Sequence, residues 1–483
     1  MRRDLDELSG REHDLVVVGG GVYGAAAAWD AAQRGLRTAL VEREDFGAGV
    51  SWNSLKTIHG GLRYLQKADL ARMRESIRER RALLRIAPEL VRPLPFLVPA
   101  YGHGRLGREA LGVALLLYDL VSHDRNRGLP ETHRIPRGRL LGRRDVLDRL
   151  PGLPRRLGRA ELTGAGLWSD AQVLSSERLT VAMVHAAVEA GALAANHLEA
   201  VGFLRAGSRV AGVRARDTLA GREVEVRARM VLNCAGPGAD ALLSLAGVAR
   251  PAAPLLRAWN LVFARRPPEG FAVGARTGDR FLFLVPWRDR TLVGTAYAPA
   301  EAPADGAITA FRAEAAAAFP WAGLDEASLA LVHEGLVPGH GGAAGLSTRP
   351  RLHDHEAEDG IAGFATLQGV KYTTARAVAE RAVDLVARRL GRPAVPSRTD
   401  RTLLPRARPL EGTLDERTRE AVRDEMALTL ADAVLRRLDL GTVGAPGEAE
   451  LAVVARAMGA VLGWGEGRER DEVAALAKRF PPA

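Results

Sequence analysis

Residues 19–24, Gly19-Gly20-Gly21-Val22-Tyr23-Gly24, constrain the fold of this chain more than any other feature. They follow a short apolar run at 14–18 and open a small-residue stretch at 22–34 whose spacing predicts a helix. A second apolar run, 37–41, ends at Glu42, 18 residues after Gly24. Strand, glycine turn, helix and a second strand closing on an acid make a βαβ unit suited to a dinucleotide. The glycines let the backbone reach a pyrophosphate at the positive end of the helix, and Glu42 can hold a ribose hydroxyl pair. Without those neighbours the same six letters would be a glycine-rich turn.

The stretch beyond the acidic strand end favours FAD over NAD. It reads Ser51-Trp52-Asn53-Ser54-Leu55-Lys56-Thr57-Ile58-His59-Gly60-Gly61-Leu62-Arg63-Tyr64-Leu65. Polar at first and then glycine-containing, it is long enough to line an extended cofactor from pyrophosphate to ring. Further on, Gly369-Val370-Lys371-Tyr372-Thr373-Thr374 reads as a strand-to-helix junction. A helix N-terminus aimed at the pyrimidine end of a flavin would stabilise its reduced anion. The plain alternative is a structural turn.

From Lys56 to Leu65 the chain resembles the signature of FAD-dependent glycerol-3-phosphate dehydrogenases. The resemblance continues in order through Asn233-Cys234-Ala235-Gly236-Pro237, Val285-Pro286-Trp287 with Gly294-Thr295, and the 369–374 junction. It reaches the tail at Asp424-Glu425-Met426-Ala427-Leu428-Thr429-Leu430, so it covers nearly the whole sequence. It implies an α/β fold with a discontinuous Rossmann-like FAD-binding domain, an α+β substrate domain on a large mixed sheet, and a C-terminal α-helical domain. Within an oxidoreductase region at 1–398, FAD segments are expected at about 12–90, 160–250 and 345–395, and substrate segments at about 91–159 and 251–344. The helical domain is expected at 399–483.

The same resemblance implies a reaction. A hydride passes from carbon 2 of glycerol 3-phosphate, or a related anionic polyol, to FAD, and the electrons go on to membrane quinone or, in an oxidase branch, to oxygen. Residues assigned to the cofactor are Gly19, Gly21, Gly24, Glu42, Ser51, Ser54, Leu55, Lys56, His59, Gly60, Ala200, Ala235, Gly236, Gly369, Lys371, Tyr372 and Thr373. Arg63, Tyr64, Arg349 and Lys371 match positions that hold the substrate phosphate, where an arginine fork grips two oxygens at once. A homodimer and a peripheral membrane habit are further options.

Three departures bear on the substrate. Where that family has a histidine after a Lys-Gly-Ser-like run, this chain reads Arg257-Ala258-Trp259-Asn260. Gly335-Leu336-Val337-Pro338 stands for Gly-Val-Arg-Pro, and Gly294-Thr295-Ala296-Tyr297 for Gly-Thr-Thr-Asp. Asn260 can hydrogen-bond a hydroxyl but cannot take its proton at neutral pH. It is a candidate catalytic residue together with His59, which either serves as the base or only packs beside the cofactor. A lost charge-assisted contact is worth about 1.5–3 kcal/mol, enough to change which ligand wins. A different amine or hydroxy-acid substrate therefore stays open, as does a flavin-binding protein with little or no catalysis.

Lysine usage adds an argument of its own. Only four of the 68 basic residues are lysines, and two of them, Lys56 and Lys371, lie in the motifs. A site that needs a compact ammonium resists replacement by arginine. Lys371 is the better candidate for an anion ligand, and Lys56 for a support of the cofactor loop. The net charge is +10, yet the basic residues are dispersed, which argues against nucleic acid and suits a phosphorylated substrate or an anionic membrane surface.

The remaining features set limits. Cys234 is the only cysteine, so an intrachain disulfide and a cysteine metal cluster are excluded. His353 and His355 lack a third ligand and read as surface histidines, with no metal expected. The N-terminus has no apolar signal region, and the longest apolar stretch, 110–121, falls short of the roughly 20 residues of a spanning helix. A cytoplasmic location is expected, or one on the cytoplasmic face of the inner membrane. The stretch 110–120, flanked by Arg105, Arg108, Arg125 and Arg127, is either a buried helix or one that rests on anionic lipid. The charge run 72–81 reads as the solvated face of a helix that starts at Leu70. Pro93, Pro95 and Pro99 are expected to break the chain, and Pro151, Pro154 and the glycines around Gly164 to form a linker.

Overall fold

The apolar run near the N-terminus is the strand His13–Val18, buried along its whole length. It pairs in parallel with Thr38–Val41 on one side and Glu223–Asn233 on the other, a setting that buries both faces and favours a continuous apolar run, here Leu15 to Val18. The computed structural model describes residues 1–104, 107–251, 253–267, 269–278, 280–301, 303–339 and 349–480. They divide into two compact units, each built from separated stretches. Met1–Trp52, Ser175–Leu256 and Gly335–Ala483 form the first, Asn53–Leu174 and Arg257–Glu334 the second.

In the first unit the sheet runs Arg351–Asp354, Phe364–Gln368, Glu223–Asn233, His13–Val18, Thr38–Val41, Leu193–Ala195. Leu198–Ala206 and Arg209–Asp217 extend it as an antiparallel meander. The helix Val22–Gln33 is rich in alanine and buried almost all round, so the helices Ser176–Glu189 and Ala375–Arg389 pack against it. The tail helices Leu414–Glu425, Glu448–Leu462 and Glu466–Ala477 surround a core that includes Leu430, Val434, Val454 and Met458.

The sequence sets this tail apart at 399–483, whereas the compact units group it with the dinucleotide fold. Buried ion pairs join the tail to that fold. Arg178 donates to Glu425 at 2.5 Å, and a π-helical turn at Ala433–Arg437 sends two consecutive arginines, Arg436 and Arg437, to Asp45 at 2.5 and 2.8 Å. Residues 53–90 likewise group with the second unit rather than with the FAD segments. Their short strand Thr57–Ile58 pairs with Ala160–Val173, and their helix Leu70–Ile86 packs on the same sheet.

The second unit's sheet has the order Leu329–Pro338, Leu255–Phe263, Arg290–Pro299, Arg280–Trp287, Ala272–Thr277, Val91–Tyr101, Ala160–Val173, Thr57–Ile58. The ends of its first two strands belong to the first unit. Here several expectations are corrected. Pro93, Pro95 and Pro99 do not break the chain; all three lie inside the strand Val91–Tyr101, which pairs along its length with Ala160–Val173. They occupy odd positions, so the missing N–H groups all fall on one edge of the strand. The supposed linker around Gly164 is that partner strand, 14 residues long.

The 72–81 run is also not a solvated face throughout. Arg80 is only 1% exposed and Glu79 is buried, while Arg74 and Arg81 pair with Asp124. The helix Arg108–Val121 buries Leu115 and Tyr118 alone, and leaves Val113, Leu116, Leu117 and Leu120 47–73% exposed, which removes the buried-helix alternative. Arg105 lies outside the described residues. Among the described residues no helix is long and apolar enough to cross a membrane.

Candidate functional site

In the first unit the candidate site is made by backbone. Gly19 has φ +106°, and a Cβ there would lie 2.6 Å from the Cys234 carbonyl oxygen. A Cβ on Gly24 would lie 1.8 Å from the Gly19 carbonyl oxygen, so no side chain fits either position. The helix opens at Gly21 with no side-chain cap bond, the form an anion-binding N-terminus takes. Ser51 stands at this end and accepts the Val22 N–H at 2.9 Å. Glu42 is held by the N–H groups of Gly20 at 2.6 Å and Glu44 at 2.9 Å. Burial pushes its carboxyl above the usual carboxylate range against those two bonds.

Two later stretches of the same unit adjoin the glycine turn. The Cys234 N–H donates to the Val18 carbonyl at 2.8 Å. Asn233 accepts the Ala235 N–H at 3.1 Å and donates to the Ala239 carbonyl, which shapes the turn through Ala235 and Gly236. At Gly369 a Cβ would lie 2.1 Å from the Tyr23 ring. Tyr23 also donates its hydroxyl to the Lys371 carbonyl at 2.8 Å, which ties the first glycine turn to the 369–374 junction. Tyr372 donates to the Ser176 carbonyl at 3.0 Å. Thr373 is buried just before the helix Ala375–Arg389, whose N-cap makes no side-chain bond. Ala200 faces Ala215 within the meander, and Arg349 is exposed ahead of the strand Arg351–Asp354. A cleared glycine turn, an uncapped helix start and an acid at the next strand end fit an adenine dinucleotide.

In the second unit the candidate positions are side chains. Lys56 is fully buried in a left-handed conformation, its Nζ 5.1 Å from the Trp287 ring centre. Ser54 Oγ accepts the Lys56 N–H at 3.2 Å. His59 has a side chain 47% exposed, its ring 6.0 Å from Phe96 and 5.8 Å from Phe283. Its Nδ1 faces Asp170 Oδ2 at 3.4 Å.

Beneath it lies a buried set that sequence reasoning missed. Asp170 Oδ1 accepts from the Gly60 N–H at 2.7 Å and from Arg80 at 2.5 Å, and Arg80 also donates to the Tyr118 hydroxyl at 2.8 Å. A Cβ on Gly60 would lie 2.1 Å from that hydroxyl. Burial would raise the Asp170 carboxyl, but the His59 hydrogen bond and the Arg80 charge outweigh it and hold it below the usual range. No sequence signal marks this aspartate.

Arg63 is exposed, and Tyr64 lies under Arg72, whose guanidinium is 5.2 Å from the ring centre. Asn260 is buried and accepts from the Thr295 hydroxyl at 2.7 Å. A Cβ on Gly294 would lie 2.0 Å from this Oδ1 and 3.1 Å from the Leu55 side chain. Tyr297 has its phenol raised by burial, against a hydrogen bond to Thr295 and the charge of Arg63. Two of the three departures, Asn260 and Tyr297, thus meet through one threonine. The third, Val337, lies in the strand Leu329–Pro338. The histidine at 355 also differs from expectation. His355 is buried, with both ring nitrogens engaged by Asp359 at 2.6 Å and Thr366 at 2.8 Å.

Residues 14–423 match the family described as FAD dependent oxidoreductase, and the chain belongs to that family. Within it, the chain is similar to the glycerol-3-phosphate dehydrogenase of Synechocystis, 30% identical over 429 residues, or 84% of this chain and 75% of that protein. The human mitochondrial glycerol-3-phosphate dehydrogenase is 31% identical over 420 residues, 80% of this chain. This chain spans about half the length of that relative, 54%. The structure of the glycerol-3-phosphate dehydrogenase from Bacillus halodurans complexed with FAD matches with a TM-score of 0.74 and 22% identity, over 98% of this chain and 96% of that one. The α/β flavoprotein fold with a helical tail, and FAD as the cofactor, are as the sequence predicts.

Proposed function

We propose that this enzyme oxidises the C2 alcohol of glycerol 3-phosphate, or of a closely related anionic polyol, to the ketone. The observation that carries this reading is the kinship with glycerol-3-phosphate dehydrogenases along 84% of the chain. FAD, when bound, supplies the two-electron acceptor for the hydride leaving carbon 2. The protein's residues supply the rest. Gly19, Gly21, Gly24, Glu42, Ser51 and the 369–373 backbone bind the cofactor. Arg63, Tyr64, Arg349 and Lys371 hold the phosphate, for which cationic donors are suited. His59, half-exposed beside the rings of Phe96 and Phe283, takes the hydroxyl proton.

Quinone is the proposed next electron acceptor. The exposed Val113, Leu116, Leu117 and Leu120 of the helix Arg108–Val121 support a resting place on the cytoplasmic face of a membrane. Anaerobic mixing with millimolar glycerol 3-phosphate should bleach the flavin, and an unbleached spectrum would overturn that substrate. Replacing His59 by Asn should slow the reduction about 10²–10⁴-fold with FAD still bound. An unchanged rate would remove His59 from the chemistry.

One observation favours a second reading. Asn260, Thr295 and Tyr297 form a single bonded set where a histidine and an aspartate are expected. That set suits a non-phosphorylated amine or hydroxy-acid substrate. Reduction only by non-phosphorylated members of a substrate panel would select it.

A further inference from the structure

We infer that Asp170 is a positioning residue that holds His59 with its Nδ1 proton turned to the protein and its Nε2 lone pair turned to the substrate hydroxyl. The inference rests on the reading of His59 as the base.

An ionised carboxylate only accepts hydrogen bonds, so the imidazole nitrogen that faces it must be the one carrying a proton. A neutral imidazole has one N–H, and the other nitrogen is then the acceptor. Asp170 is 2% exposed, and its two oxygens are divided. Oδ1 is taken by the Gly60 N–H and by Arg80, which leaves Oδ2 for His59 at 3.4 Å. That separation is long for a closed hydrogen bond and typical of a catalytic pair before its substrate arrives.

Arg80 is anchored in turn by the Tyr118 hydroxyl and by the Ser169 carbonyl at 3.1 Å. The charged and titratable groups gathered on this side of His59 are therefore Asp170 from Ala160–Val173, Arg80 from Leu70–Ile86 and Tyr118 from Arg108–Val121. Phe96 and Phe283 face the ring from their strands without charge. An Arg80–Asp170 pair that served stability alone would not need one oxygen left facing a half-exposed histidine.

The step balances. The C2–H bond breaks and its electron pair leaves as hydride to FAD, the O–H proton moves to His59 Nε2, and the carbonyl forms. The imidazolium that results is stabilised by the Asp170 charge, which stays ionised throughout.

The test compares FAD-loaded wild type, Asp170→Asn, His59→Asn and the double variant. In protein labelled with ¹⁵N-histidine, the His59 signal is identified by its loss in His59→Asn. Wild type should show the Nδ1–H tautomer, and Asp170→Asn a shift towards Nε2–H. Flavin reduction by glycerol 3-phosphate should slow roughly ten- to a hundredfold in Asp170→Asn, with the acidic limb of its pH profile moved to lower pH. In the His59→Asn background, the second substitution should slow it no further. An unchanged tautomer, or an equal slowing with and without His59, would overturn the inference. Should Asp170→Asn fail to fold with Arg80 left unpaired, the Arg80→Met/Asp170→Asn variant removes both buried charges and is read the same way. A His59→Asn variant as fast as wild type overturns the base and with it this inference. A fast Asp170→Asn beside a slow His59→Asn overturns the positioning role alone.

Discussion

The two units hold their candidate functional residues by different means. In the first, backbone does it. Gly19, Gly24 and Gly369 sit where a Cβ would come within 2.6, 1.8 and 2.1 Å of neighbouring atoms. In the second, side chains from well-separated stretches do it: Asn260 with Thr295, and His59 with Asp170 and Arg80. A surface of backbone cannot change its letters without losing its form. A surface of side chains can be rewritten on unchanged strands, and at Asn260 and Tyr297 this chain departs from the pattern it otherwise resembles.

The contrast can be broken most directly at Gly24. Gly24→Ala should yield protein without FAD, read from the flavin absorbance of the purified protein. A yellow, active variant would show that the turn can yield after all. Next in size is Glu425→Gln, which leaves Arg178 and Arg437 facing a neutral amide in a buried place. It should cost about 3–5 kcal/mol in denaturant unfolding. Asn260→Ala should cost less, about 1–3 kcal/mol, by stranding the Thr295 hydroxyl, and should leave FAD bound. If it empties the cofactor site, the separation drawn between the two units fails.

The smallest effect is a pH dependence. Burial would lower the His197 pKa, but its 2.8 Å bond to Asp432 outweighs that and raises it above the ordinary 6.5. A raised histidine contributes its stability fully below pH 6.5 and loses it as pH climbs through the folded value. Asp432 is shifted down, with burial outweighed by His197 and Arg436, so its share is lost on the acid side. Melting temperature should therefore decline from pH 6 towards pH 9 more steeply in wild type than in His197→Gln. Parallel curves would show that the pair does not stabilise the tail.

Much of the first unit is legible in the letters because its signals are local. A turn of fixed spacing and an acid at a strand end occur within some thirty residues, and physics gives each letter one reading. The second unit is less legible because burial there is decided by distant partners. Arg80 is indistinguishable by composition from Arg78 or Arg81, yet its place on the helix turns it inward to Asp170. Asp170 lies in a strand that Gly164 and the nearby prolines disguise as a linker, and only pairing with Val91–Tyr101 reveals it. His355 misleads in the opposite sense: its charged neighbours suggest a surface, while Phe364 stacks on it at 4.7 Å.

The contact between Tyr23 and Lys371 also bears on how the protein is made. His13–Val18 leaves the ribosome early, but its partner Glu223–Asn233 and the Lys371 carbonyl that Tyr23 needs emerge much later. Until Glu223–Asn233 has been made, the nascent chain carries one strand edge without its neighbour, the kind of edge that invites pairing with other chains. The tie between the first glycine turn and the 369–374 junction can therefore close only once Lys371 has been made, late in synthesis.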